Sequence, residues 1–148
     1  MASNNKVESG LNGILADSTV LYEKLHAFHW YVAGPQFFQL HAKFEELYDR
    51  FAKVVDDVAE RVLTIGGKPL ATLKAVLENA EIKEYDGTKS GQDMIAALAG
   101  DFRLLLEKSC RVIEEAEKAG DRGTANLLDG LNDELEKSLW MLNAWQAH

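Results

Sequence analysis

Apolar residues recur at three- and four-residue spacing along most of the chain, in four long runs separated by glycine-containing or polar joins. The first run (Leu11, Ile14, Leu15, Ser18, Leu21, Tyr22, Leu25, Phe28, His29, Val32) predicts a helix that starts between Asn5 and Ser9 and ends at Ala33. Gly10 and Gly13 weaken its first turns, and Asp17 and Glu23 are expected in solvent. The second helix is predicted between Gly34 and Gly67, with Pro35 in its first turn and Gly66-Gly67-Lys68-Pro69 as its stop. Its core stripe is Phe37, Leu40, Phe44, Leu47, Tyr48, Phe51, Val54, Val55, Val58, Val62 and Ile65. A third helix is capped by Ser90 and stopped at Gly120, and a fourth starts between Asp121 and Thr124, with Thr124 the preferred cap. The short Ala33-Gly34-Pro35 join makes the first two helices an antiparallel hairpin. The connection from Gly66 to Ser90 holds a short helix near Thr72 to Glu78 and is long enough to cross the bundle, which allows the second and third helices to run parallel.

The second helix carries an unusual third face. Wound at about 100° per residue, it places His41, Glu45, Asp56 and Glu60 on one arc between the core stripe and the solvated stripe, among Phe38, Ala52, Ala59 and Leu63. Along one straight helix these groups cannot meet. Glu45 and Asp56 are roughly 16 Å apart along the axis and His41 and Glu60 roughly 28 Å. Both pairs nevertheless share a midpoint, between Arg50 and Phe51. A second copy packed antiparallel about a two-fold axis there would bring His41 and Glu45 of one chain to Glu60 and Asp56 of the other, twice over. The hairpin sets His29 at the height of His41, which makes His29 a candidate third ligand from the same chain. Imidazole mixed with carboxylates suits iron, among other first-row metals. The competing reading is ordinary: acid pairs on helices are usually solvated, and a histidine on a partly apolar face is usually a packed one. Trp30 reads first as a packing or interface aromatic and second as an electron donor near the site; His26 reads as structural.

Composition narrows the classes. A length of 148 residues predicts one domain over 1–148, all-α, with 47% hydrophobic and 27% charged residues typical of a soluble chain. No apolar run marks a leader or spans a bilayer, so no membrane partner is expected and the cytoplasm is the expected location. Cys110, the single cysteine, is compatible with a reducing compartment and is expected at or near the core. The net charge of −8, with Lys6 alone before the first helix and Gln146-Ala147-His148 at the end, argues against nucleic acid as a partner.

Four long helices with one crossover form a ferritin-like four-helix bundle. A di-iron site inside one such bundle requires two Glu-x-x-His motifs, and only Glu23 to His26 matches. Any metal is therefore expected between chains. The stretch HAFHWYVAGPQFFQLHAKFEELYDRFAKVVDDVAERVLTIGGKPLATL closely resembles the central signature of the Dps family, the bacterial mini-ferritins, and GDRGTANLLDGLNDELEKSLWMLNAW is similar to their last helix. The resemblance implies a twelve-subunit shell that oxidises Fe(II), preferentially with hydrogen peroxide, and stores Fe(III) mineral. It implies a di-iron site at the two-fold subunit interface, with His29, His41 and Glu45 from one chain and Asp56 and Glu60 from its mate. Glu45 stands where many members have aspartate. It also implies acidic pores near the start of the last helix, where Asp121 matches, Asn126 replaces an acid, and Asp129 is a further candidate. The resulting expectation is an iron-detoxifying ferroxidase and iron store; the alternatives are a DNA-coating nucleoid protein with iron secondary, and a structural helical oligomer.

Overall fold

The computed structural model describes residues 2–147, and the side chains of residues 4–147; the C-terminal His148 of the non-basic end lies outside the described residues. Five helices follow in order: α1 (Ala2–Tyr31), α2 (Phe37–Thr64), α3 (Leu73–Asn79), α4 (Gly91–Lys118) and α5 (Arg122–Gln146). This is the expected bundle of four long helices with a short extra helix in the crossover. Among the described residues, no helix is long and apolar enough to cross a membrane.

The boundaries differ from expectation in instructive ways. α1 begins at Ala2, so Lys6 belongs to a helix and not to a tail. One of its glycines serves packing: a Cβ at Gly10 would lie 2.5 Å from Val112 Cγ2, so that glycine allows α1 and α4 their close approach. Pro35 lies in the turn ahead of α2, whose first helical residue is Phe37 after Gln36. Gly34 makes that turn with φ of 113°, a conformation open to glycine and strained for side-chain-bearing residues. α5 is capped by Asp121, not Thr124: the Asp121 carboxylate accepts from the Thr124 amide at 3.0 Å, because a carboxylate oxygen three residues upstream reaches that orphan donor. Ser90 caps α4 as expected, accepting from the Asp93 amide at 3.2 Å.

Contacts between helices give the topology. Tyr22 meets Tyr48 and His29 meets His41, so α1 and α2 are antiparallel. Lys24 meets Asp101 and Asp17 meets Lys108, so α1 and α4 are antiparallel as well, which leaves α2 and α4 parallel. Phe28, Phe44, Phe102, Leu21, Leu98 and Leu128 are fully buried at the centre. Each such side chain contributes about 1.5–3 kcal/mol by leaving water.

Two residues depart from their expected surroundings. Asp17 is completely buried. One of its oxygens accepts from the Glu81 and Ile82 amides at 2.7 and 3.0 Å, and the other takes Lys108 Nζ at 2.5 Å. An ionised acid tolerates burial when every oxygen is so satisfied. This carboxylate therefore pins the α3–α4 connection to α1. Cys110, expected near the core, is exposed on α4, where its sulfur lies 3.6 Å from Asn132 Nδ2.

Candidate metal centre

His29 lies near the end of α1 and His41 in the first turns of α2, across the hairpin. Their rings stack at 3.6 Å between centroids, 13° from parallel. Each imidazole Nδ1 meets the other residue's backbone carbonyl: His29 Nδ1 to His41 O at 2.6 Å, and His41 Nδ1 to His29 O at 2.7 Å. A carbonyl can only accept, so both Nδ1 atoms carry the proton and both Nε2 atoms keep a lone pair in the neutral rings. The His29 carbonyl is available because α1 is ending: the Ala33 amide, which would otherwise close that turn, donates to Lys89 O at 3.1 Å. A helix end thus becomes the device that fixes an imidazole tautomer, as the partners of metal-binding histidines commonly do.

Glu45, one turn beyond His41, brings Oε1 to 3.8 Å from His29 Nε2. The three residues expected to act from one chain are therefore together. His29 is 8% exposed, whereas Glu45 is exposed, so the group opens outward from a rigid base.

Asp56 and Glu60 form a second group, farther along α2. A shared hydrogen bond with the Asp56 carboxyl, and next the Asp56 charge, hold the Glu60 carboxyl above the usual range. Two acids that compete for one proton also favour a cation placed between them. Among the described residues, no three His, Cys, Asp or Glu side chains of the chain are grouped so that they could hold a metal ion. The structure brings His29, His41 and Glu45 together, and Asp56 with Glu60, but leaves the two groups apart within one chain, as their helical spacing requires. Exposed apolar residues flank both: Phe38 is 82% and Leu63 59% exposed.

Trp30 is 61% exposed, and its ring lies 5.4 Å from that of His26 between centroids. Asp121 has both carboxylate oxygens engaged, by Arg61 Nη2 at 2.7 Å, the Thr124 amide and the Thr124 hydroxyl at 2.5 Å. Burial raises its pKa, but the hydrogen bonds from Thr124 and Arg61 outweigh it and hold the carboxyl below the usual range. Asp129 is exposed beside a 500 Å³ surface cavity that Glu117, Arg122 and Asn126 also line.

Tyr48, expected in the core stripe, packs against the core. It is half-buried, stacks on His26 at 3.8 Å and meets His29 edge-on at 5.4 Å. It lies three residues after Glu45 and seven after His41 and so shares their side of the helix.

The ferritin-like domain family matches residues 8–148. The DNA protection during starvation protein 2 of Bacillus anthracis is 46% identical over 142 residues, covering 96% of this chain and 97% of its own. The crystal structure of a Dps protein from Bacillus brevis superposes with a TM-score of 0.98 at 45% identity, covering 99% of both chains. The chain belongs to the Dps family. A Dps protein from Vibrio cholerae O1, described as a member of a broad superfamily of ferritin-like diiron-carboxylate proteins, superposes with a TM-score of 0.96 at 36% identity over 99% of this chain and 92% of its own. Membership accounts for the bundle and its crossover helix.

Proposed function

We propose that this Dps-family chain is a ferroxidase and iron store whose site is completed by a second copy of itself. The observation that carries this reading is the pairing of two outward-facing half-sites with exposed apolar residues at matching positions. Phe38 and Leu63 share the midpoint between Arg50 and Phe51 that relates His41 to Glu60 and Glu45 to Asp56, as do the small Ala42 and Ala59. An antiparallel copy of α2 would cover Phe38 with Leu63, let the backbones approach at the alanines, and join each histidine group to the other chain's acids. α3 supports the same axis. It flanks the Thr19 to Ala27 part of α1, at the height of Tyr48, and its Leu73 is 76% exposed.

In the joined site, His29 and His41 offer neutral Nε2 atoms, Glu45 an oxygen, and Asp56 and Glu60 the principal carboxylates for Fe(II), which is the substrate. Glu60, at the outer end of its pair, can bridge two ions. Hydrogen peroxide then takes one electron from each of two ferrous ions, and with two protons becomes two waters, so little hydroxyl radical escapes. The ferric product is stored as mineral in a dodecameric shell, with acids such as Glu46 or Asp49 nucleating it. Iron access falls to Asp129, while Asp121, engaged by Arg61 and Thr124, holds the start of α5 in place. The phrase DNA protection in the relatives' names is met here by removal of iron and peroxide; at a net charge of −8, DNA coating is not part of the reading.

Complementation tests the shared site. His41→Ala and Asp56→Ala shells should each lose peroxide-driven Fe(II) oxidation. When the two chains are unfolded together and co-assembled, a mixed dimer has one site with both defects and one with neither, so activity should return. Mixed shells no more active than the two parents would reject the two-chain site.

A further inference from the structure

A surface cavity of 580 Å³ lies between the first turns of α1 and the C-terminal half of α4, far from the histidine pair. Gly10, which lines it, is roughly 28 Å from His29 along α1. Two glycines make the space. Gly10 lets α1 come close to Val112 of α4. A Cβ at Gly13 would lie 3.6 Å from Lys108 Nζ, so a glycine there leaves that side of the ammonium without a side chain over it. Lys6, one turn before Gly10, and Arg111, next to Val112, line the cavity from the two helices.

The charge here runs against the rest of the chain. The sequence has 24 acidic and 16 basic residues, yet the cavity is lined by three cations, Lys6, Lys108 and Arg111, and two acids, Glu81 and Glu115. Both acids are already answered. Glu81 Oε1 meets Lys108 Nζ at 3.0 Å, and Glu115 Oε1 meets Lys118 Nζ at 3.4 Å. Among the described residues, the exposed Lys6 and Arg111 make no ion pair. Lys108 is buried, and Asp17 and Glu81 use two of its three N–H donors, which leaves one on the side that Gly13 keeps open. A merely solvated charged face needs neither a recess nor a buried ammonium at its base; this one has both.

We infer that this cavity binds a phosphate dianion, inorganic or carried by a small monoester. The Arg111 guanidinium can grip two phosphate oxygens side by side, and Lys6 supplies a second positive charge from the facing helix. Lys108 donates from the base, and Ser9, which also lines the cavity, offers a hydroxyl. A phosphate monoester carries about −1.5 to −2 at pH 7, which matches two unpaired cations. Each phosphodiester of DNA carries a single charge and matches the pair less well. The site uses none of the proposed iron ligands, so it stands or falls without the ferroxidase reading.

The assembled protein, free of iron and in phosphate-free buffer of low ionic strength, is titrated calorimetrically with inorganic phosphate, with glycerol phosphate and with a short DNA duplex. Wild type is expected to bind inorganic phosphate, glycerol phosphate or both saturably, one per chain. Lys6→Gln and Arg111→Gln change exposed side chains and leave the core alone. Each should weaken that binding by roughly tenfold or more, the worth of a hydrogen bond to a charged group. Lys74→Gln, which removes an exposed cation of α3 outside the cavity, should bind as wild type does. The site is overturned if neither phosphate probe saturates, if Lys6→Gln and Arg111→Gln bind as tightly as wild type, or if Lys74→Gln weakens binding equally. A duplex that binds through Lys6 and Arg111 while both small probes fail would overturn it too, in favour of a DNA contact.

Discussion

α1 carries two polar clusters built on opposite plans. At Asp17 the chain completes its own site: two backbone amides and Lys108 Nζ saturate a fully buried carboxylate, and Lys108 also reaches Glu81 Oε1 at 3.0 Å. At His29 the chain satisfies only half of each imidazole. The Nδ1 atoms are tied to backbone carbonyls, and the Nε2 atoms are left for something else. The first cluster spends its hydrogen-bonding capacity on holding the crossover to the bundle. The second spends half of its capacity on aiming the other half. On the proposed reading, the difference between a polar group that stabilises and one that binds iron lies in which atoms remain unpaired.

The comparison can be broken first at the closed cluster. Lys108→Met should cost about 3–5 kcal/mol, because Asp17 keeps its two amides but becomes an uncompensated buried charge. Urea unfolding measures it, and a loss below about 1 kcal/mol would mean that the amides alone neutralise Asp17. At the open cluster the expected pattern is inverted. His41→Ala should slow Fe(II) oxidation by about 100-fold, given that even the outer partners of metal ligands are worth 10–100-fold. Stability should fall by only about 1 kcal/mol, for the bond to the His29 carbonyl. A variant that melts early yet oxidises iron normally would assign His41 to packing.

A smaller effect tests a third group, Asp121, which is closed like Asp17 but only partly buried. Its folded-state pKa lies below the ordinary value, so its contribution is present above the unfolded value, about 3.9, and is lost as pH falls through the folded one. Asp121→Ala should therefore cost about 0.5–2 kcal/mol at pH 7, for a lost helix cap. The gap from wild type should close in acid below the carboxylate range. A gap that stays constant down to low pH would show that the carboxylate's charge contributes nothing.

Much of this was legible in the residues. Helical periodicity gave four long helices and the crossover helix, since burial of a stripe at that spacing is what drives helix packing. The hairpin join gave the shared height of His29 and His41, because so short a link leaves the chain no other path. The arc of His41, Glu45, Asp56 and Glu60 followed from helix geometry alone. Local signals served less well where several donors and acceptors competed. Thr124 and Asp121 are both good caps; Asp121 takes the role by accepting from the Thr124 amide, and Arg61, from another helix, bonds both side chains.

The chain's own order of residues thus determined which helices form and which side chains share a face, since both depend on neighbours within a few turns. Tertiary structure alone decided the rest. It buried Asp17, which looks solvated until Lys108 and the crossover amides converge on it. It exposed Cys110, and it set Tyr48, which packs against the core as its periodicity suggested, edge-on to His29 as well. These outcomes depend on contacts between residues far apart in sequence, and no local pattern encodes which distant donor arrives.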